Sequence, residues 1–146
     1  GLVPDAHKIG STLTTSQLAV ASGGFFDVWK ATNENGEVFA IKAFRMYQTN
    51  AVQVKKKFCR EAVAWKHLQH PNILPLLGAT ISKSKLCLIS EWMDQGNVAQ
   101  YLEHRENLEV NRIELLVDIL DGLAYMHSLH VVHGNLKGVC RLPSLY

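Results

Sequence analysis

Several residues in this chain have the types and spacing to do chemistry. Lys42 closes the apolar run Val38-Phe39-Ala40-Ile41, and Glu61 follows in a segment with helical spacing. Alone, such a lysine and carboxylate are more often an incidental surface pair than a site. Ser22-Gly23-Gly24 is a turn signal, which by itself marks only a surface turn. His127, His130 and His133 are spaced by three, and on one helix face they would read as metal ligands. The pattern turns extended near Val131, so the three do not share a face, and no carboxylate motif partners them. A metal site is not expected. His67 and His70 straddle a helix end and read as a cap and a turn residue, while Trp29, Trp65 and Trp92 read as packing residues, Trp92 being also a candidate to line a ligand site.

These residues need elements to position them. Residues 1–17 are polar, with Ser or Thr at 11, 12, 14, 15 and 16, and read as an extension lying on the domain or partly disordered. Leu18-Ala19-Val20, Val28-Trp29-Lys30-Ala31 and Val38-Phe39-Ala40-Ile41 read as three consecutive antiparallel strands. Asn35-Gly36 between the last two is a hairpin signal, because both residues tolerate positive φ. Ala51 to Leu68 holds no Gly or Pro, and Val54, Phe58, Ala62 and Trp65 recur at helical spacing. His70-Pro71 ends that helix, since the residue before proline is pushed out of the helical region. Ile73 to Leu77 and Leu86 to Ile89 read as two more strands. Five strands with one inserted helix make an α+β unit.

Beyond Gly96 the pattern is helical. Asn97 is an N-cap for a short helix through Leu102, and a longer helix runs from about Val110 to Leu129. Its apolar residues form two stripes: Ile113, Leu116, Val117, Leu120 and Ala124 on one, Leu115, Ile119, Leu123 and Met126 on the other. A helix apolar on most sides expects neighbours on most sides. Few residues follow it, so the chain reads as incomplete as a fold, and self-association through residues 110–129 is expected.

Composition bounds the function. Hydrophobic residues make up 47% and charged residues 19%, ordinary for a globular protein, and the net charge of +2 gives no reason to expect nucleic acid as a partner. Lys55-Lys56-Lys57 reads as a solvated helix face. Three cysteines, Cys59, Cys87 and Cys140, at wide unpatterned gaps argue for a reducing, cytoplasmic compartment. No apolar run could span a membrane, and the first residues do not form a signal peptide.

Taken in order, these features resemble a protein kinase domain. Ala21-Ser22-Gly23-Gly24-Phe25-Phe26-Asp27-Val28 is similar to the glycine-rich loop that covers nucleotide phosphates. Val38-Phe39-Ala40-Ile41-Lys42 resembles the third-strand motif whose lysine contacts the α- and β-phosphates, and Glu61 stands where the family places the carboxylate holding that lysine. His70-Pro71-Asn72-Ile73-Leu74 resembles the lead into strand four. Ser90-Glu91-Trp92-Met93 resembles the gatekeeper and hinge, with backbone groups of Glu91 and Met93 meeting adenine. Val131-Val132-His133-Gly134-Asn135-Leu136-Lys137-Gly138 resembles the catalytic loop, in wording nearest the tyrosine-kinase-like group and its fungal members. The resemblance covers about residues 18–138. It implies an N-terminal extension at 1–17, a kinase-like N-lobe at 18–93 with a five-stranded antiparallel sheet and one helix, and the truncated start of a C-lobe at 94–146. It further implies that Ala21, Ser22, Gly23, Gly24, Val28, Ala40, Lys42, Ser90, Glu91 and Met93 bind nucleotide, with Lys42, Glu61, His133, Asn135 and Lys137 in the catalytic machinery.

The departures point away from catalysis. Ala21 and Phe26 replace the first and third loop glycines. The Phe26 ring either folds over or into the pocket or lies on the outer surface. Asn135 replaces the aspartate that accepts the substrate hydroxyl's proton, and an amide is a very poor base. Cys140 stands where the magnesium-binding asparagine belongs, and a thiol suits magnesium poorly. The tail from Cys140 to Tyr146 no longer resembles the family. Three readings follow: an inactive kinase-like domain that binds ATP or ADP, with magnesium weak, and scaffolds or regulates kinases or other signalling proteins; an interaction module that binds no nucleotide; or a member of a Ser/Thr kinase line with ATP binding, a label that Lys137 favours.

Overall fold

The computed structural model describes residues 13–46, 51–82, 85–103 and 111–132. It divides into two units, one of Gly1–His67 with Pro75–Trp92, the other of Leu68–Leu74 with Met93–Tyr146.

The first unit is built on six antiparallel strands: β1 (Thr14–Thr15), β2 (Ala21–Ser22), β3 (Phe26–Thr32), β4 (Val38–Phe44), β5 (Leu76–Ser82) and β6 (Lys85–Glu91). Their order is β1-β3-β4-β6-β5, with β2 also paired to β3. Among the described residues, one helix, α1 (Ala51–Lys66), falls between β4 and β5 in the chain. This is the expected α+β unit with one strand more than five, because Thr14–Thr15, in the polar stretch before Leu18, pairs with Thr32 and Ala31.

Alternation of side chains across the pleat gives the sheet two apolar faces. On one, Ala31, Phe39, Ile41, Ala43, Cys87 and Ile89 are buried together, with Leu13, Trp29 and Leu77 against them. On the other, Phe44 and Leu88 pack with Val54 of α1, flanked by Phe58, Ala62 and Trp65. These are the four residues whose spacing marked the helix. Phe44 and Phe58 meet edge to face at 5.6 Å, an arrangement favoured by the ring quadrupoles.

Local sequence explains where expected and observed bounds differ. The first paired strand is Ala21–Ser22 rather than Leu18-Ala19-Val20, and Leu18 is 80% exposed. The β3–β4 turn is longer than a tight two-residue hairpin: Thr32 and Val38 are the last pair, and Asn33 closes the loop. The Asn33 side-chain oxygen accepts from the amides of Asn35 and Glu37 at 3.0 and 2.9 Å. Only Gly36 takes positive φ (83°); Asn35 does not. The strand expected at Ile73–Leu77 begins instead at Leu76, after Pro75, which has no amide to give a ladder. Residues 71–73 form a turn in which the Ile73 amide bonds the His70 carbonyl at 3.0 Å.

The second unit contains α2 (Val98–Glu103) and α3 (Arg112–Ser128). Asn97 caps α2 as its sequence suggests. Its Oδ1 accepts from the Gln100 amide at 3.0 Å, and Gln100 Oε1 accepts from the Asn97 amide at 3.1 Å, a reciprocal capping box. Asn111 caps α3 through the amides of Ile113 and Glu114. The far end closes with His130 at φ 57°, the His130 and Val131 amides bonding the carbonyls of His127 and Met126 at 2.9 Å. This left-handed closure ends the helix and turns His130 off the line of His127.

The His70-Pro71-Asn72 segment docks on α3. The His70 ring stacks on Tyr125 at 4.9 Å, Tyr125 Oη accepts from the Gln69 amide at 3.1 Å, and Asn72 donates to Asp121 at 3.3 Å. Gly122 permits the close approach, since a Cβ there would lie 3.1 Å from the Asn72 carbonyl. His70 is therefore a packing residue as well as a turn residue. Of the two stripes on α3, Leu115 and Met126 are buried, whereas Ile113 (73%), Leu116 (55%), Val117 (57%) and Leu120 (54%) are exposed.

Candidate functional site

Strand register assembles the site on the α1 face of the sheet. In the β3–β4 ladder Phe26 opposes Phe44, Val28 opposes Lys42 and Lys30 opposes Ala40. In the β4–β6 ladder Lys42 opposes Leu88 and Ala40 opposes Ser90. Directly opposed side chains share a face, so Val28, Ala40, Lys42 and Ser90 stand together, with Ala21 beside Val28 through β2. The face is the one that packs α1, and this lets a helix residue reach Lys42.

That residue is Glu61. Its Oε1 accepts a hydrogen bond from Lys42 Nζ, and the two form an ion pair with side chains 28% and 24% exposed. The strand lysine and helix carboxylate, 19 positions apart in sequence, are thus paired in space. Lys42 also lies 4.1 Å from the centroid of the Phe26 ring and 5.7 Å from that of Phe44. An ammonium over an aromatic face is attracted by the ring quadrupole.

The loop Ser22–Phe26 turns over this lysine, with the Gly23 amide bonding the Phe26 carbonyl at 2.8 Å. Of the two placements open to Phe26 from sequence, the structure takes the inward one. The ring lies under the loop, and a Cβ on Gly23 would come 2.9 Å from its Cζ. A Cβ on Gly23 would press on the far end of the ring, whereas Gly24 has open space around it.

Both flanks of Phe26 are tied down. Asp27 receives Arg45 through both carboxylate oxygens, Nε at 2.9 Å and Nη2 more closely, and Ser22 Oγ donates to it at 2.7 Å. The Arg45 hydrogen bonds first, and then that of Ser22, hold the Asp27 carboxyl well below the usual carboxylate range. On the other flank the Phe25 carbonyl accepts from the Arg45 amide at 2.8 Å, and Lys57 of α1 stands 4.4 Å over the Phe25 ring. Sequence reading missed Asp27, Arg45 and Lys57. The signal for Asp27–Arg45 was present in the hairpin register, but the partner to Phe25 lies on a helix whose rotation no local pattern gives.

At the other end of the face, Ser90 is buried and its hydroxyl donates to the Glu91 carbonyl at 3.3 Å. The Trp92 amide bonds the Val38 carbonyl at 3.3 Å, and Lys30 lies 5.0 Å over the Trp92 ring. Met93, the other expected hinge residue, belongs to the second unit, where its carbonyl accepts from the Gly96 amide at 3.1 Å. His133, Asn135, Lys137 and Cys140 lie outside the described residues. Among the described residues no three His, Cys, Asp or Glu side chains cluster as metal ligands, and no helix is long and apolar enough to cross a membrane.

Known proteins match most of this chain in sequence. The model of the protein kinase domain matches residues 15–139. The L-type lectin-domain containing receptor kinase I.3 of Arabidopsis thaliana is 39% identical over 124 residues, 81% of this chain and 18% of that protein. A dual specificity protein kinase of Dictyostelium discoideum is 34% identical over 123 residues, 79% of this chain and 16% of that protein. A MAP kinase kinase kinase of Schizosaccharomyces pombe is 29% identical over 121 residues, 81% of this chain and 9% of that protein. The chain therefore spans less than a fifth of the length of these relatives.

Proposed function

This chain belongs to the protein kinase family, and on that premise we propose that it is a catalytically inactive kinase-like domain that binds an adenine nucleotide and acts as a scaffold or regulator of kinases or other signalling proteins. Residues 18–93 serve as the N-lobe, joined by the Thr14–Thr15 strand of the extension at 1–17, and 94–146 as the start of the C-lobe. The compartment is the cytoplasm.

The Lys42–Glu61 ion pair carries the nucleotide half of this reading. Holding a lysine against a helix carboxylate fixes its ammonium at one place on the sheet, which positioning an anionic phosphate requires. Gly23, Gly24, Ala21, Ser22 and Val28 form the roof, and Ala40, Ser90, Glu91 and Met93 supply the adenine side. The residues present suit nucleotide better than metal. By the resemblance to the family, Asn135 and Cys140 stand at the positions of the proton acceptor and the magnesium ligand, so magnesium contributes little.

Calorimetric titration with ATP and ADP, with and without magnesium, beside Lys42→Ala tests the reading. Saturable binding that is indifferent to magnesium and lost in Lys42→Ala supports it, provided that a sensitive phosphotransfer assay stays at background. Phosphotransfer above background removes the inactive half and favours the Ser/Thr kinase reading. Absence of binding by every adenine ligand favours a pure interaction module.

The exposed stripe Ile113, Leu116, Val117 and Leu120 on α3 supports a second element of the proposal, self-association through residues 110–129 as a dimer or higher oligomer. Covering such a side chain is worth about 1.5–3 kcal/mol relative to full exposure, and grouped apolar patches of this kind mark interaction surfaces.

A further inference from the structure

We infer that Phe26 sets the ligand preference of this site, weakening its hold on the phosphates of an adenine nucleotide so that ATP binds no more tightly than adenosine. The inference rests on the nucleotide-binding reading above and deepens it.

The Phe26 ring is bounded on three sides. Lys42 Nζ lies 4.1 Å from its centroid, the backbone of Gly23 covers it so closely that a Cβ would stand 2.9 Å from Cζ, and Phe44 is tilted against it at 6.4 Å. The ring thus fills the space between the loop backbone and the ammonium. A phosphate that is to touch both must enter that space. A phenyl ring offers it no hydrogen-bond donor, and an anion taken out of water without partners is costly. Displacing the ring also gives up its contact with the Lys42 ammonium.

The strand on either side of the ring is tied down. The residue before it is held by the Arg45 amide on the Phe25 carbonyl and by Lys57 over the Phe25 ring. The residue after it is held by Arg45 and Ser22 on the Asp27 carboxylate. The ring's three contacts all lie at the loop end of the face. Ala40, which opposes Ser90, is four positions along β4 from Phe44, which opposes Phe26. A ligand that uses only the Ala40–Ser90 end leaves the ring in place. One that extends phosphates toward Lys42 has to expel it.

The test is calorimetric titration of the full chain with adenosine, ADP and ATP, comparing wild type with Phe26→Gly and Phe26→Ala. Wild type is expected to bind adenosine at least as tightly as ATP. Removing the ring is expected to tighten ATP by about tenfold, about 1.4 kcal/mol, while adenosine changes by less than about twofold. Phe26→Ala keeps a Cβ in the strand and serves if the glycine variant does not fold; the wild-type adenosine-to-ATP ratio decides the preference without either. Wild type binding ATP more tightly than adenosine, with the ratio unchanged on removing the ring, overturns the inference and leaves the proposed function standing. Failure of all three ligands to bind any cooperatively folded form overturns the proposed function and the inference with it.

Discussion

Phe26 and Lys42 meet on the diagonal across the β3–β4 hairpin, the ammonium 4.1 Å from the ring centroid, while the same ammonium is paired with Glu61. The lysine is therefore held from two sides, by an aromatic ring on its own sheet and by a carboxylate on the helix. Glu61→Gln keeps an oxygen acceptor but removes the charge. Because both side chains are partly exposed, stability in urea unfolding should fall by no more than about 1 kcal/mol. ATP affinity should fall by more than adenosine affinity, because the ammonium loses its fixed position. Equal losses for both ligands would show that Glu61 does not act through Lys42.

Asp27 gives the fold an acid-sensitive contact. Its carboxyl is held below the usual range, first by the Arg45 hydrogen bonds and then by Ser22. A group whose folded pKa is depressed stabilises the fold above its unfolded pKa, and that contribution is lost as pH falls through the folded value. The unfolded value for an aspartate is about 3.9, so the loss begins near pH 4 and continues downward. Thermal midpoints of Asp27→Asn, measured from pH 7 to pH 2, should start lower than wild type and converge on it in acid. A constant gap across that range would contradict the role assigned to Asp27.

The apolar stripe on α3 should drive association. Leu116→Glu with Leu120→Glu places charges in the exposed stripe while leaving Leu115 and Met126 buried. Light scattering at high protein concentration should show a dimer or larger species for wild type and a monomer for the double variant. A wild-type monomer under those conditions sinks the self-association.

Two substitutions separate core packing from backbone strain. Phe44 is fully buried between the sheet and α1, in contact with Phe58, and Phe44→Ala should cost about 3–5 kcal/mol. Gly36 has open space around it but a φ of 83°, so Gly36→Ala meets no clash and should cost about 1–2 kcal/mol from conformation alone. Gly24, with open space and no such φ, should accept alanine with little change. Urea unfolding of the three variants reads out the order.

Most of the elements were legible because they rest on local rules. The spacing of Val54, Phe58, Ala62 and Trp65 marked the helix and its buried face, and the Asn97 cap follows from hydrogen bonds within a few residues, whereas the Asn111 cap starts its helix two residues after the expected Val110. The misplaced details were also local but finer: Pro75 delays β5, and Asn33 closes a hairpin loop in which only Gly36 needs positive φ. Thr14–Thr15 escaped notice because a two-residue strand carries no period, and only its partner β3 defines it.

By itself the sequence determined that an apolar strand carries Lys42, that a helix carries Glu61, and that a glycine turn with two departures from the family precedes them. Alternation and helical period are properties of neighbouring residues, so a single chain displays them. The tertiary structure decided which way Phe26 faces, which cation meets Phe25, and which stripe of α3 is covered. Each depends on register between strands or on the rotation of a helix against its neighbour. Those are set by packing between residues far apart in sequence, and here packing put a phenyl ring against the lysine that the family turns toward phosphate.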